Sequence, residues 1–220
     1  MTFSSCLVEQ SNPLVLDASV VINLLATGHA GMILQSLPGR SYVTENVVGE
    51  INGGAGSGRP ESKQLFDLIE GGPLEVAVLD ELALESFIDI VSGSASESLG
   101  DGEAATLAFA YHSGLTAAID ERKATRIASE RFASLRMATT VDILAHSSVM
   151  HALGQERLSM AVLDALRLAR MQVGLPQFEW VVEQIGVENL ALCPSLRRLV
   201  KNLPASGRCL TPSGVFAPPA

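Results

Sequence analysis

Cysteine is scarce in this chain of 220 residues, which contains only Cys6, Cys193 and Cys209. An odd number of cysteines at wide spacing fits neither a disulfide framework nor a Cys-x-x-Cys metal site. The pattern favours a reducing compartment, so we expect a cytoplasmic protein. The first residues show no basic segment followed by an apolar one, and we therefore expect no signal peptide.

Long apolar runs are also absent. The most apolar stretch, residues 14–26, is interrupted by Asp17 and Asn23 and falls short of the roughly 20 residues that a membrane-spanning helix needs. Hydrophobic residues make up 47% of the chain and charged residues 18%, a composition that supports a buried core and excludes disorder over most of the length. We expect a soluble protein with no membrane contact, folded as one domain with a modest extension.

Positive charge is scarce, above all in residues 1–120. This half contains three Lys and Arg residues and 16 Asp and Glu residues, so its net charge is −13. Residues 121–220 contain 12 basic and eight acidic residues, which makes their net charge +4. A chain with a net charge of −9 is a poor candidate for holding duplex DNA by neutralising phosphates over a broad surface. The asymmetry between the halves still indicates local contact with a polyanion or a cation.

Short apolar segments alternate with segments of helical periodicity, which is the pattern of an α/β protein. Strands are predicted at residues 14–17, 41–44, 74–80, 115–120 and 135–138. Predicted helices lie between them, over 141–150, and then over 155–171 and 177–185. We predict a three-layer α/β/α sandwich around a central, mostly parallel sheet. Its core spans 13–150, further helices at 151–200 pack on the same domain, and 201–220 form a loosely held tail.

Acidic residues stand where two of the predicted strands end. Asp17 follows LVL and Asp120 follows TAAI, and each leads into a helix. The carboxyl ends of parallel strands share one edge of the sheet, so we expect the two carboxylates to lie together. Glu50 and Glu103 lie on later helices, where a solvated residue or a helix N-terminal acid is the plain alternative. For the second of these helices, Asp101 is the better N-cap candidate.

Converging carboxylates indicate a metal. Two such charges about 4 Å apart repel by roughly 4 kcal/mol at an effective dielectric near 20. A hard divalent cation offsets this repulsion, because carboxylate oxygens suit Mg²⁺ and Mn²⁺. Such an ion can activate a water molecule and stabilise charge on phosphoryl oxygens, so the acids predict metal-dependent hydrolysis of a phosphate ester.

Four segments carry a family resemblance. In order, LVLDASVVINLLATG, VTENVVGEI, LGDGEAATLAFAYHSGL and TAAIDERKATRIA resemble the PIN-domain nucleases, which include the toxins of VapBC-type toxin–antitoxin pairs. The resemblance covers about residues 13–150, and we expect it to extend over the following helices to about residue 190. It implies an α/β/α fold and an endoribonuclease that uses Mg²⁺ or Mn²⁺ to cleave single-stranded or structured RNA. It also implies an antitoxin protein as a partner and a homodimer.

Carried over residue by residue, the resemblance implies the catalytic metal ligands Asp17, Glu50, Glu103 and Asp120. It implies that Ser19, in the Asp-x-Ser arrangement, orients Asp17 or contacts the ligand shell of the metal, and that it belongs to the substrate-binding residues. Thr140 matches a position where the family often has a hydroxyl group, although Thr139 stands where a glycine commonly precedes it. Further candidate ligands are Asp101, Asp142 and Thr140.

Basic residues follow the fourth acid within two helical turns. Arg122, Lys123 and Arg126 are candidates for contacts with substrate phosphates, and the resemblance favours Arg126 among them. A solvated helix face is the alternative for each of them.

The residue pattern alone leaves two other functions open. A Mg²⁺-dependent phosphatase or phosphotransfer domain also ends parallel strands in acids, but here Ser19 stands where such a domain has a second aspartate, and no lysine stands at a late strand end. A catalytically silent PIN-like binding module is the third hypothesis, and the four acids weigh against it.

Overall fold

The computed structural model describes residues 3–7, 12–53, 60–94 and 97–202. Most of the Gly-rich segment at residues 52–60 lies outside the described residues, as do residues 203–220 of the predicted tail.

Five strands form one sheet in the order β3-β2-β1-β4-β5. The strands are β1 Leu14–Leu16, β2 Ser41–Thr44, β3 Glu75–Ala77, β4 Thr116–Ala118 and β5 Arg136–Ala138. All four ladders between them are parallel. The central strands have the sequences LVL and TAA and are buried throughout, as expected for a parallel sheet covered by helices on both faces.

Helices connect and cover the strands. They are α1 Ala18–Ala26, α2 Ala30–Ser36, α3 Glu45–Gly53, α4 Pro60–Glu70, α5 Glu81–Val91, α6 Asp101–His112, α7 Arg122–Arg131, α8 Thr140–Leu144, α9 Ser147–Leu168, α10 Phe178–Ile185 and α11 Pro194–Asn202. Two short 3-10 helices, Leu175–Gln177 and Val187–Leu192, flank α10.

The predicted helix at 141–150 is wrong in its bounds. The chain leaves the helical path at residues 145–146, because His146 caps the next helix by accepting a hydrogen bond at Nδ1 from the Ser148 amide. The following helix, α9, then runs through residue 150 and bends at Gly154, whose φ is +70°. Gly154 takes this left-handed backbone conformation without the steric cost that a side chain would add.

Side chains of β1 point alternately to two cores. Leu14 and Leu16 belong to a core that includes residues of α1, α2, α9 and α10. Val15 belongs to a second core with residues of α5, α6 and α7. The sheet therefore lies between two helical layers, which confirms the predicted three-layer α/β/α fold. The boundaries at residues 150 and 200 stay predictions.

The strand order reverses between β1 and β4. The chain runs outward from β1 through β2 to β3, returns to β4 and continues to β5 on the other side. Ligands of open α/β sheets bind outside the carboxyl ends of the strands at this reversal point. Asp17 directly follows β1, and Asp120 comes two residues after β4, so the topology places both carboxylates there.

No single helix in the described part of the chain is long and apolar enough to cross a membrane. The helices α1 and α2 meet the length and composition criteria only as a pair bent by 113°.

Candidate metal centre

Asp17 joins β1 to α1 and has one carboxylate oxygen without a partner. Its Oδ2 accepts hydrogen bonds from the Ser19 amide at 3.1 Å and the Ser19 hydroxyl at 2.7 Å. Its Oδ1 is buried and has no hydrogen-bond partner among the described residues. Burial raises the pKa of Asp17, and the bonds from Ser19 oppose this shift. A buried oxygen in this state is unfavourable unless a proton or a cation satisfies it.

Asp120 is fixed by donors from two helices. Its Oδ1 accepts a hydrogen bond from the Thr140 amide at 2.8 Å. Its Oδ2 accepts bonds from the Thr140 hydroxyl at 2.6 Å and from Asn23 Nδ2 at 2.7 Å. Burial raises the pKa of Asp120 to about 6, against the effect of these donors, and the charge of Asp17 adds to the rise. The helices α1 and α8 therefore hold this carboxylate in one orientation.

Glu50 extends from α3 towards the start of α6. A Cβ atom at Gly102 would collide with Glu50 Oε2, so the glycine lets the carboxylate approach the α6 backbone closely. Burial raises the pKa of Glu50, and the charges of Asp17 and Asp101 raise it further. These interactions place Glu50 and Asp101 at the same cluster as Asp17.

Glu103 lies at the third position of α6. The N-cap of this helix is Gly100, which has extended backbone angles, and Glu103 Oε2 accepts a hydrogen bond from the Gly100 amide at 3.3 Å. The expectation that Asp101 caps the helix is therefore wrong, because Asp101 is already its first helical residue.

Glu103 also shares a hydrogen bond with Glu121. Burial raises the pKa of Glu103 to about 8, and the neighbouring carboxylates of Glu121 and Asp17 contribute to the shift. Two ionised carboxylates cannot share a hydrogen bond, so this contact requires one proton on the Glu103–Glu121 pair.

Sequence reasoning missed two residues of this cluster. Glu121 is exposed and follows Asp120 directly, and the signal for it was the pair of successive acids at the end of β4. Asn23 is 3% exposed, and the signal was an amide among the apolar residues of a buried helix. A buried amide of this kind needs a hydrogen-bond partner, and Asp120 provides it.

Asp142 lies next to this cluster and joins three segments of the chain. Its Oδ1 accepts a hydrogen bond from the Cys6 amide at 3.0 Å, and its Oδ2 accepts bonds from the Thr139 amide at 3.0 Å and hydroxyl at 2.6 Å. Gln177 Nε2 in turn donates to Thr139 Oγ1 at 2.7 Å. Asp142 thus has a structural role, because its hydrogen bonds link these segments. Its role as a further metal ligand stays a prediction.

The predicted phosphate contacts lie on α7, which begins directly after Glu121. Arg122 and Arg126 are exposed, and Arg126 forms an ion pair with Glu130 at 2.9 Å one turn along the helix. The basic side chains are therefore beside the acids, and their contact with substrate stays a prediction.

As the side chains stand, no group of three or more His, Cys, Asp or Glu residues in the described ranges could hold a metal ion. The donor set nevertheless fits a hard divalent cation. The unpartnered Asp17 oxygen is buried, and the charges of Glu50, Glu103, Asp120 and Glu121 interact with that of Asp17. All of these groups offer carboxylate oxygens, the ligands that Mg²⁺ and Mn²⁺ prefer.

Comparison with known families agrees with this architecture. A family model described as a PIN domain matches residues 13–183, which is more than half of the chain. Searches of curated proteins and of solved structures find no match. The matched range contains the whole sheet and all four predicted acids. The chain therefore belongs to the PIN-domain family, whose members are generally nucleases.

Proposed function

We propose that this chain is a divalent-metal-dependent endoribonuclease that hydrolyses RNA phosphodiester bonds with Mg²⁺ or Mn²⁺. The observation that carries the proposal is the buried, unpartnered Oδ1 of Asp17 at the point where the strand order reverses. Several other carboxylates interact electrostatically with it, and a cation is the ligand that satisfies such a group.

The residues that would hold the ion are Asp17, Glu50, Glu103 and Asp120, with Glu121 beside them. When bound, the ion supplies a Lewis acid that activates water and stabilises the charge on the phosphoryl oxygens. Ser19 keeps Asp17 Oδ2 occupied, so that Oδ1 is the oxygen left for the ion. The Glu103–Glu121 pair must release the proton that it shares before Glu103 can become a ligand.

The first experiment measures cleavage of single-stranded RNA with Mg²⁺, with Mn²⁺ and with EDTA. We expect cleavage with either ion and none with EDTA. Asp17→Asn keeps an acceptor for Ser19 but removes the charge, so it should abolish cleavage while the protein stays folded. The matched control is Asp67→Asn, since Asp67 is exposed on α4, and it should cleave RNA at the wild-type rate.

Metal binding is measured separately by calorimetric titration of Mn²⁺ without RNA. Asp17→Asn should lose most of the affinity and Asp67→Asn none. Binding of Mn²⁺ without any metal-dependent cleavage would contradict the nuclease proposal and favour a catalytically silent binding module. Cleavage that persists in Asp17→Asn would exclude this cluster as the active site.

Within the same proposal, the chain acts as the toxin of a toxin–antitoxin pair and forms a homodimer. The likeness of the four acidic segments to VapBC-type toxins supports this narrower role. A neighbouring gene for a small DNA-binding protein is expected, and coexpression of that protein should relieve growth arrest caused by this chain. Growth arrest that the neighbouring product leaves unchanged would exclude the toxin role without affecting the nuclease proposal.

A further inference from the structure

A groove of about 660 Å³ extends from Asp120 along α7 to the segment 172–177. We call it the α7 groove. One wall consists of Arg122, Thr125, Arg126 and Ser129, which recur at helical spacing and so share one face of α7. Because Asp120 is among the lining residues, the groove adjoins the candidate metal centre.

The opposite wall is the segment 172–177, which is fixed to the end of the sheet. Gln177 Oε1 accepts a hydrogen bond from the Gly174 amide at 2.9 Å, and Gln177 Nε2 donates to Thr139 Oγ1 at 2.7 Å. Thr139 directly precedes Thr140, which holds Asp120. The far wall and the acid are thus linked through two adjacent residues, and the groove is largely preformed, as ligand sites commonly are.

The lining of the α7 groove combines apolar surface with two arginines and with Asp120 and Asp142, whose carboxylates already accept hydrogen bonds within the protein. Phe3, Val173 and Pro176 provide apolar surface, and the Phe3 ring is anchored edge-on against Trp180 with ring centres 6.3 Å apart. Arg122 and Arg126 provide the guanidinium groups on the opposite side. Bases of single strands pack on such apolar and aromatic surfaces, while phosphates accept hydrogen bonds from arginine.

The size of the groove favours a single strand over a duplex. A volume of about 660 Å³ lies within the roughly 300 to 1,000 Å³ of pockets that bind small organic ligands, the size class of a nucleotide. Gln172 is exposed at its edge, where its amide can both donate to and accept from the edge of a base. An apolar partner helix would not need Arg122 and Arg126, so these two arginines favour a nucleotide as the occupant of the groove.

We propose that the α7 groove binds the nucleotide next to the cleaved phosphodiester of single-stranded RNA and so gives the enzyme a base preference. This inference rests on the proposed nuclease function. The guanidinium groups of α7 hold the phosphate, the base packs on the wall formed by Phe3, Val173 and Pro176, and Gln172 contacts its edge.

The test measures binding of fluorescently labelled RNA hexamers of A, C, G and U by anisotropy in EDTA, where the nuclease is inactive. Ser129→Trp would fill the groove from α7, and Thr125→Trp is a second variant of the same kind. Each should lower the affinity about tenfold or more, the size of a lost stacking contact. The differences among the four hexamers should shrink in both.

The matched control is Leu168→Trp, since Leu168 is 69% exposed on α9 and does not line the groove. It should bind every hexamer as the wild type does, and unchanged melting temperatures should show that all three variants are folded. Wild-type affinity in both groove variants would overturn the inference, as would binding of duplex RNA as tight as that of the single strand.

The two proposals fail in different ways. Groove-dependent binding in EDTA without cleavage in Mg²⁺ or Mn²⁺ would support the groove as an RNA site and overturn the nuclease function. Metal-dependent cleavage with identical rates and base preference in Ser129→Trp and Thr125→Trp would support the nuclease and overturn the groove.

Discussion

Asn23 on α1 donates a hydrogen bond from Nδ2 to Asp120 Oδ2 at 2.7 Å, although the two residues are 97 positions apart in the sequence. The same amide donates to Thr140 Oγ1 at 3.2 Å. A triangle of Asn23, Thr140 and Asp120 therefore connects the first helix, the end of β4 and the start of α8. All three side chains are polar, and the hydrogen bonds among them satisfy polar atoms whose burial without partners would be unfavourable.

Asn23→Ala should weaken both the fold and the metal site. It leaves Asp120 Oδ2 with the Thr140 hydroxyl alone, so we expect a loss of about 1 to 3 kcal/mol in the free energy of unfolding. A double-mutant cycle with Asp120→Asn measures the coupling by urea denaturation. If Asn23→Ala costs the same stability with Asp120 and with Asn at position 120, the pair contributes nothing of its own.

Asp120 should contribute to both stability and metal binding, whereas Glu121 should contribute to metal binding alone. Asp120 accepts three hydrogen bonds. In Asp120→Asn, the amide NH₂ group would face one of the groups that now donate to the carboxylate. We therefore expect this variant to lower both the melting temperature and the Mn²⁺ affinity. Glu121 is exposed and contacts Glu103, so Glu121→Gln should lower the Mn²⁺ affinity with little change in melting temperature. Calorimetry of both variants checks this.

The control for these variants is Glu156→Gln, because Glu156 is exposed on α9 away from the acids. It should change neither quantity. Equal losses of melting temperature in Asp120→Asn and Glu121→Gln would contradict this difference between the two acids.

The stability of the metal-free protein should fall as the pH rises from about 5 to about 8.5. The pKa of Glu103 is raised from 4.5 to about 8 and that of Asp120 from 3.8 to about 6 by folding. Between the lower and the upper pKa of each group, the folded state binds more protons than the unfolded state. The contribution of that group to the free energy of unfolding is therefore complete below the lower pKa and is lost as the pH rises through the upper pKa. Melting temperatures in EDTA across this range measure it.

Glu103→Gln isolates the upper part of that profile. The variant cannot ionise at position 103, so its melting temperature should decline less between pH 6.5 and pH 8.5 than that of the wild type. Parallel curves for the two proteins would show that Glu103 does not titrate in this range.

The sequence was sufficient to predict the sheet and the place of two acids. Asp17 and Asp120 follow apolar strands, and the rule that parallel strands share a carboxyl edge needs no knowledge of side-chain contacts. The family resemblance added Glu50 and Glu103, whose helices alone do not show where their carboxylates lie. The observed topology agrees with the strand prediction because each strand is a short run between helical segments, and the central strands β1 and β4 contain only apolar or small residues.

Contacts between distant segments could not be predicted. Gln177 reaches Thr139 and Asp142 across more than 30 residues, and nothing in its local sequence distinguishes it from a solvated glutamine. Glu121 contacts Glu103 only because the chain turns into α7 directly after β4. The missed N-cap at Gly100 has another cause, since glycine has no side chain to indicate a capping role and the first turn of α6 contains two acids.

Gly102→Ala should reduce metal affinity although alanine is the better helix former. The added Cβ would collide with Glu50 Oε2, and the flexible glutamate would swing away from the cluster while α6 stays folded. The control is Gly49→Ala on α3, where a Cβ meets no atom within 4 Å and should stabilise the helix by up to about 1 kcal/mol. Calorimetric titration of Mn²⁺ should therefore show weaker binding in Gly102→Ala and unchanged binding in Gly49→Ala, whereas equal affinities in both would remove Glu50 from the metal centre.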